Sequence, residues 1–185
     1  VPALAEMVSA THSLVTREFS VFSPVVVSVG RLEAGAIANV IPSEGSFDAT
    51  LRTFSDATRD QLLERLPRLF SGIAAAHDVE VDYEHVDQYP MTINDPNEAD
   101  EVASVVTELF GDDRHHRWEQ PLAGAEDFSR ILQEVPGCFI GLAATPADAD
   151  PATAPYNHSP QAQFDDSVLK DGATLLAELA RRRLS

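Results

Sequence analysis

Val25-Val26-Val27-Ser28-Val29-Gly30-Arg31-Leu32, followed by Phe47-Asp48-Ala49-Thr50-Leu51-Arg52-Thr53, are the stretches on which the fold turns. The first is short and β-branched, the mark of a strand. In the second, Phe47, Ala49, Leu51 and Thr53 alternate with Asp48, Thr50 and Arg52, the period of a half-buried strand. Between them Ala34 to Glu44 reads as a loop punctuated by Gly35 and Pro42. Upstream, Leu4, Met7, Val8, Thr11, Leu14 and Val15 recur at helical spacing, which predicts a helix from Pro2 to near Glu18. Downstream, Ser55 or Asp56 caps a second helix with Leu62, Leu63, Leu66, Phe70 and Ile73 as its apolar face. Pro67 inside that helix predicts a kink or an early break. Val79, Val81 and Tyr83 alternate with Glu80, Asp82 and Glu84 and predict a third strand.

The order helix, strand, strand, helix, strand lacks only an initial strand to be a split βαββαβ sandwich, and the vacant place is a central one. A natural three-stranded sheet with two helices fits the same spacing. After Tyr89-Pro90 the texture changes. Asn94-Asp95-Pro96 initiates a helix with Ala99, Val102, Val105, Val106 and Leu109 on one face, closed by Gly111. A short helix carrying Glu126, Asp127, Phe128, Ile131 and Leu132 runs to Pro136-Gly137, and Cys138 to Ala143 reads as a buried strand. Val168, Leu169, Leu175, Leu176 and Leu179 mark a last helix, with Arg181, Arg182 and Arg183 well placed at its C-terminus. Helix, strand, helix is a piece of a layered α/β domain. The expected division is residues 1–88 and residues 89–185.

The 185 residues carry 13 Lys and Arg against 30 Asp and Glu, a formal charge of −17, which argues against nucleic acid and anionic membrane surfaces as partners. At 44% hydrophobic the chain can build a core, so the acidity belongs to a solvated surface. No apolar run approaches the ~18 residues of a membrane span. The single cysteine, Cys138, excludes an internal disulfide framework and a Cys-based zinc site, and reads as a small buried hydrophobe. No signal sequence is visible, which gives a cytoplasmic expectation. A chain that opens on Val1 inside a helix looks cut from something longer.

Of six histidines, His12, His77 and His85 suit surface or capping roles, and the adjacent His115-His116 pair is poorly arranged for one ion. His158 lies in Tyr156-Asn157-His158-Ser159-Pro160, a loop between a strand and an acid-capped helix, where α/β domains build their sites. Asp165 or Asp166 could orient its ring. Glu126-Asp127 is a paired carboxylate whose plainer role is favourable charge at a helix start. Arg52 could hold a carboxylate in bidentate fashion, or pair with Asp48 on its own face. Asn39, in the turn before Val40-Ile41-Pro42, could add amide hydrogen bonds.

The run Gly35-Ala36-Ile37-Ala38-Asn39-Val40-Ile41-Pro42, followed by Thr50-Leu51-Arg52-Thr53-Phe54, resembles the lid domain of metal-dependent aminoacylases and carboxypeptidases, in the amidohydrolase branch of hippurate and auxin-conjugate hydrolases. Tyr89-Pro90 with Asn94-Asp95, Gly124-Ala125-Glu126-Asp127-Phe128-Ser129, Val135-Pro136-Gly137, and His158-Ser159-Pro160 with Phe164-Asp165-Asp166 and Gly172-Ala173 continue the resemblance to the end of the chain. Ala34 and Ala49 depart from it where glycine is usual.

The resemblance implies a ferredoxin-like lid of residues 1–88 without its first strand, then the C-terminal part, 89–185, of an α/β catalytic domain. It implies amide hydrolysis by two divalent metal ions, zinc or manganese, on N-acyl amino acids or related amides. His158 takes the place of a metal ligand, and Asn39 and Arg52 those of substrate contacts. It also implies a homodimer formed through the lid, with some contacts crossing between subunits. The remaining ligands and the catalytic glutamate precede the lid in such proteins and are not in this sequence. No catalytic residue is therefore expected here, and the isolated chain is expected to be inactive and to bind metal weakly or not at all. The rival is a non-catalytic dimerisation or small-ligand-binding module of the same ancestry.

Overall fold

The computed structural model describes residues 1–185 and is mixed helix and strand, 44% helical with a small antiparallel sheet. The chain divides into two compact units, Val1–Met91 and Thr92–Ser185.

The first unit contains α1 (Pro2–Glu18), β1 (Val25–Ala34), β2 (Gly45–Thr53) and α2 (Asp56–Ala76). Pro2 opens α1, where its missing N–H costs no helical bond. Ser55 caps α2, its hydroxyl accepting from the Thr58 N–H at 3.1 Å. β1 and β2 form an antiparallel hairpin in which Val25 faces Thr53, Val27 faces Leu51 and Val29 faces Ala49. The register shifts between Val29 and Arg31. That bulge at Gly30 moves the outward parity of β1 from even to odd positions. Val26 and Ser28 therefore share the outer face with Arg31 and Glu33.

Both helices pack on the inner face. Met7, Val27, Leu62, Leu66, Phe70, Ile73 and Ala74 form the core, with Phe70 edge-on to Phe47 at 5.6 Å. With the helices segregated to one side, neither of them covers the outer face of the hairpin.

Two expectations about this unit are corrected. The early break that Pro67 allowed does not occur: α2 runs unbroken for 21 residues, with Leu62, Leu66, Phe70 and Ile73 anchoring it on both sides of the proline. Val79 to Glu84 is not a ladder strand, and the sheet has two strands. Val81 and Tyr83 pack on the core, with the Tyr83 ring 5.9 Å from that of Phe70, so the alternation in the sequence reports a real inner and outer side. A strand also needs a neighbour to receive its N–H and C=O groups, and none lies beside this segment. The Tyr83 hydroxyl is enclosed without a hydrogen-bond partner.

The second unit contains α3 (Pro96–Phe110), α4 (Phe128–Glu134) and α5 (Leu169–Arg183). Asp95 caps α3 by accepting from the Asn97 and Glu98 N–H groups, and Gly111 ends it at φ 101°, a conformation that suits glycine. Val102, Val105 and Leu175 are buried where α3 packs on α5. Ion pairs from Arg182 to Glu108 and from Arg183 to Glu98 tie the same two helices. The expected buried strand from Cys138 to Ala143 does not form. Its backbone has no ladder neighbour, and Phe139, Ile140 and Leu142 are exposed. Cys138 is only half-buried, and desolvation raises its thiol above the ordinary pKa.

Candidate functional site

Arg52 stands on the outer face of β2, exposed, directly opposite Val26. The sequence left open a pairing with Asp48, but Asp48 lies four residues back, about 13 Å along a strand. It faces Arg31 across the ladder instead. Arg31 binds Asp48 at 3.2 Å and grips Glu33 with two bonds of 2.9 and 2.6 Å. Both carboxylates, Glu33 first, raise the Arg31 pKa. The two acids of this face thus share one guanidinium.

Asn39 lies in the β1–β2 loop and is exposed. Gly35 opens that loop at φ 74°, with the Pro42 ring packed where a side chain would begin. A turn closes from the Val40 N–H to the Ile37 carbonyl at 3.2 Å. Gly35, Ala36, Ile37, Val40, Pro42, Ser43 and Glu44 line a shallow open depression beside it. The hairpin holds Asn39 and Arg52 apart. Asn39 is at the loop end, whereas Arg52 pairs with the start of β1. The seven residue steps from Gly45 to Arg52 span about 23 Å.

In the second unit His158 is exposed in the loop before α5. Its ring lies 5.9 Å from that of Tyr156, in a turn closed by the Ser159 N–H donating to the Tyr156 carbonyl at 2.8 Å. Asp165 is occupied as a cap: its carboxylate accepts from the Ser167 N–H at 2.9 Å, and its pKa is lowered by the Ser167 side chain first and by that N–H second. Glu126 accepts from the Phe128 N–H at 3.2 Å, which is the plainer of the two roles the sequence allowed it. No three His, Cys, Asp or Glu side chains cluster as a metal site. The imidazole of His158 is a suitable single donor, but the residues of this chain do not make a metal centre by themselves.

The register adds two neighbours of Arg52 that motif reading passed over. Ser28 faces Thr50 on the outer side, beside the Val26–Arg52 pair. The period-two alternation carried that signal, once the pairing of the strands was known.

Over residues 5–182 the chain matches the model of the peptidase family M20/M25/M40. It is 29% identical to a thermostable carboxypeptidase of Saccharolobus solfataricus over 95% of its own length and 43% of that protein's. It is likewise 29% identical to the N-acetylcysteine deacetylase of Bacillus subtilis, covering 97% of the chain and 45% of the relative. Identity to the hippurate hydrolase of Campylobacter jejuni is 28%, covering 98% and 46%. The chain thus spans less than half the length of these curated relatives. Among solved structures, an assigned aminohydrolase from methicillin-resistant Staphylococcus aureus superposes with a TM-score of 0.85 at 26% identity, covering 99% of this chain and 46% of that one. A dinuclear metal-binding peptidase of Bacillus subtilis gives a TM-score of 0.77 at 23% identity, covering 97% and 44%, and shows a shared fold. With the hairpin and nearly all of its helices inside the matched span, the chain belongs to peptidase family M20/M25/M40.

Proposed function

We propose that these residues are the lid, 1–88, and the C-terminal catalytic-domain segment, 89–185, of a metal-dependent amidohydrolase acting on N-acyl amino acids or related amides. The observation that carries this reading is the family match across residues 5–182, together with relatives whose names are those of a carboxypeptidase, a deacetylase and a hippurate hydrolase. Arg52 receives the substrate carboxylate through its fork of N–H donors, and Asn39 contributes an amide to a polar group. His158 supplies one imidazole to a centre of divalent ions, zinc or manganese, whose other ligands lie outside these residues. When bound, such ions polarise the scissile carbonyl. The 185 residues alone do not hydrolyse amides, because one donor cannot hold the ions and no general base accompanies it.

The separation of Asn39 from Arg52 along the hairpin favours a homodimer, in which Asn39 of one copy serves the site holding Arg52 of the other. A non-catalytic dimerising module of the same ancestry is the alternative, favoured by the absence of a metal-ligand cluster. The deciding experiment replaces His158 by Ala in the hydrolase that carries these residues. Activity on an N-acyl amino acid and metal content are expected to fall together. Unchanged turnover in that variant would sink the assignment.

A further inference from the structure

We propose that Tyr156 and Ser159 are positioning residues for His158, the ring of the first and the bonds of the second holding its imidazole in one orientation. This rests on the reading of His158 as a metal ligand and deepens it.

Tyr156-Asn157-His158-Ser159-Pro160-Gln161-Ala162 folds as two consecutive turns that share Ser159. In the first, the Ser159 N–H donates to the Tyr156 carbonyl at 2.8 Å, with Asn157 and His158 as the central residues. In the second, the Ser159 carbonyl accepts the Ala162 N–H at 3.1 Å. The Ser159 hydroxyl oxygen accepts the Gln161 N–H, also at 3.1 Å. One residue thus anchors both turns through its N–H, its carbonyl and its hydroxyl. Pro160 reinforces them, because its fixed φ suits the second position of a turn and its ring disfavours a helical Ser159. At the base of the loop the Asp165 N–H donates to the Ala144 carbonyl at 2.8 Å.

The first turn folds Tyr156 back onto the side chain in question. The two ring centroids are 5.9 Å apart, with the planes inclined at 52°. His158 is exposed, so core packing does not fix its rotamer. A contact between rings uses neither imidazole nitrogen, and both stay available to a ligand. A carboxylate would orient the imidazole by occupying one nitrogen. Asp165, one of the two acids suited to that, instead accepts the Ser167 N–H as a cap. An imidazole already held by its neighbours gives up less rotamer freedom when it binds.

The test uses the hydrolase that carries these residues, stripped of metal and titrated with zinc in competition with a chromogenic chelator. Thermal unfolding of the metal-free protein is followed in parallel. Tyr156→Ala and Ser159→Ala are each expected to weaken zinc binding about tenfold, the scale of losing a group that orients a ligand. Tyr156→Phe keeps the ring and Ser159→Thr keeps the hydroxyl, so both should bind zinc as wild type does. All four variants should share the wild-type unfolding midpoint without metal. A lowered midpoint in both alanine variants would mean that Tyr156 and Ser159 serve the fold and not the ring. If His158→Ala weakens zinc binding while neither alanine variant does, the positioning role is overturned and His158 keeps its own. If His158→Ala leaves zinc binding intact, the reading of His158 falls too.

Discussion

Asn94 brackets the backbone of Phe139. Its side-chain nitrogen donates to the Phe139 carbonyl at 3.0 Å while its oxygen accepts the Phe139 N–H at 2.8 Å. One amide side chain thus does for this extended segment what a neighbouring strand does in a sheet, and the Asp95 N–H adds a bond of 2.9 Å to the Gly137 carbonyl. Asn94→Ala should destabilise the second unit by about 1–3 kcal/mol, two hydrogen bonds at their usual net worth. Asn94→Asp should be at least as damaging, since it sets a carboxylate oxygen against the Phe139 carbonyl. Urea unfolding and amide exchange at Phe139 measure both, and an unchanged urea midpoint in either variant would contradict the bracket.

Pro67 sits in the interior of α2 without breaking it. The ring deprives the Leu63 carbonyl of its helical donor. Packing of Leu62, Leu66 and Phe70 outweighs that loss. Pro67→Ala restores the donor and should raise stability by about 1–3 kcal/mol, read as a higher urea midpoint.

Tyr83 closes the core beside Phe70 with its hydroxyl enclosed and unpartnered, and burial raises its phenol pKa. An unmet buried hydroxyl is unfavourable by about 1–3 kcal/mol. Tyr83→Phe keeps the ring and removes the oxygen, so the first unit should become more stable, against the usual direction for core substitutions. Thermal unfolding decides it, and a clear loss of stability would mean that the hydroxyl is satisfied.

Arg181 and Arg182 together hold the Glu178 pKa at about 2, well below its ordinary 4.5. A depressed folded-state pKa contributes stability above the unfolded value and loses it as pH falls through the folded one. The second unit should therefore lose stability between about pH 4.5 and about pH 2, and Glu178→Gln should flatten that slope. Glu108, lowered chiefly by its bond to Arg182, titrates in the same direction. Glu108 is exposed and Glu178 half-buried, so added salt should shrink the effect, most at Glu108. Urea midpoints across this pH range give the comparison.

The distance between Asn39 and Arg52 along the hairpin makes the dimer testable. Separately inactive Asn39→Ala and Arg52→Ala hydrolases, mixed and allowed to exchange subunits, should recover activity, because one site of each mixed dimer then holds both native residues. Recovery fails if both side chains serve the site of a single copy.

Local chemistry fixed the elements whose signals are short in range. Pro2, Ser55, Asp95-Pro96 and Gly111 mark helix ends through bonds made within a few residues, and the structure places the helices there. The alternation of Phe47 to Thr53 likewise announced which side of β2 would be buried. Arg52, Asn39 and His158 were legible as candidates because their residue types carry the chemistry, and the family was legible in the ordered motifs around them. Pairing was a different matter. Val79 to Glu84 and Cys138 to Ala143 have strand-like sequences, yet a ladder is a property of two segments, and their partners decide whether it exists. The bulge at Gly30, the capture of Asp48 by Arg31, and the distance between Asn39 and Arg52 all follow from the register of β1 on β2. Tertiary structure alone sets that register, because it depends on contacts between residues remote along the chain.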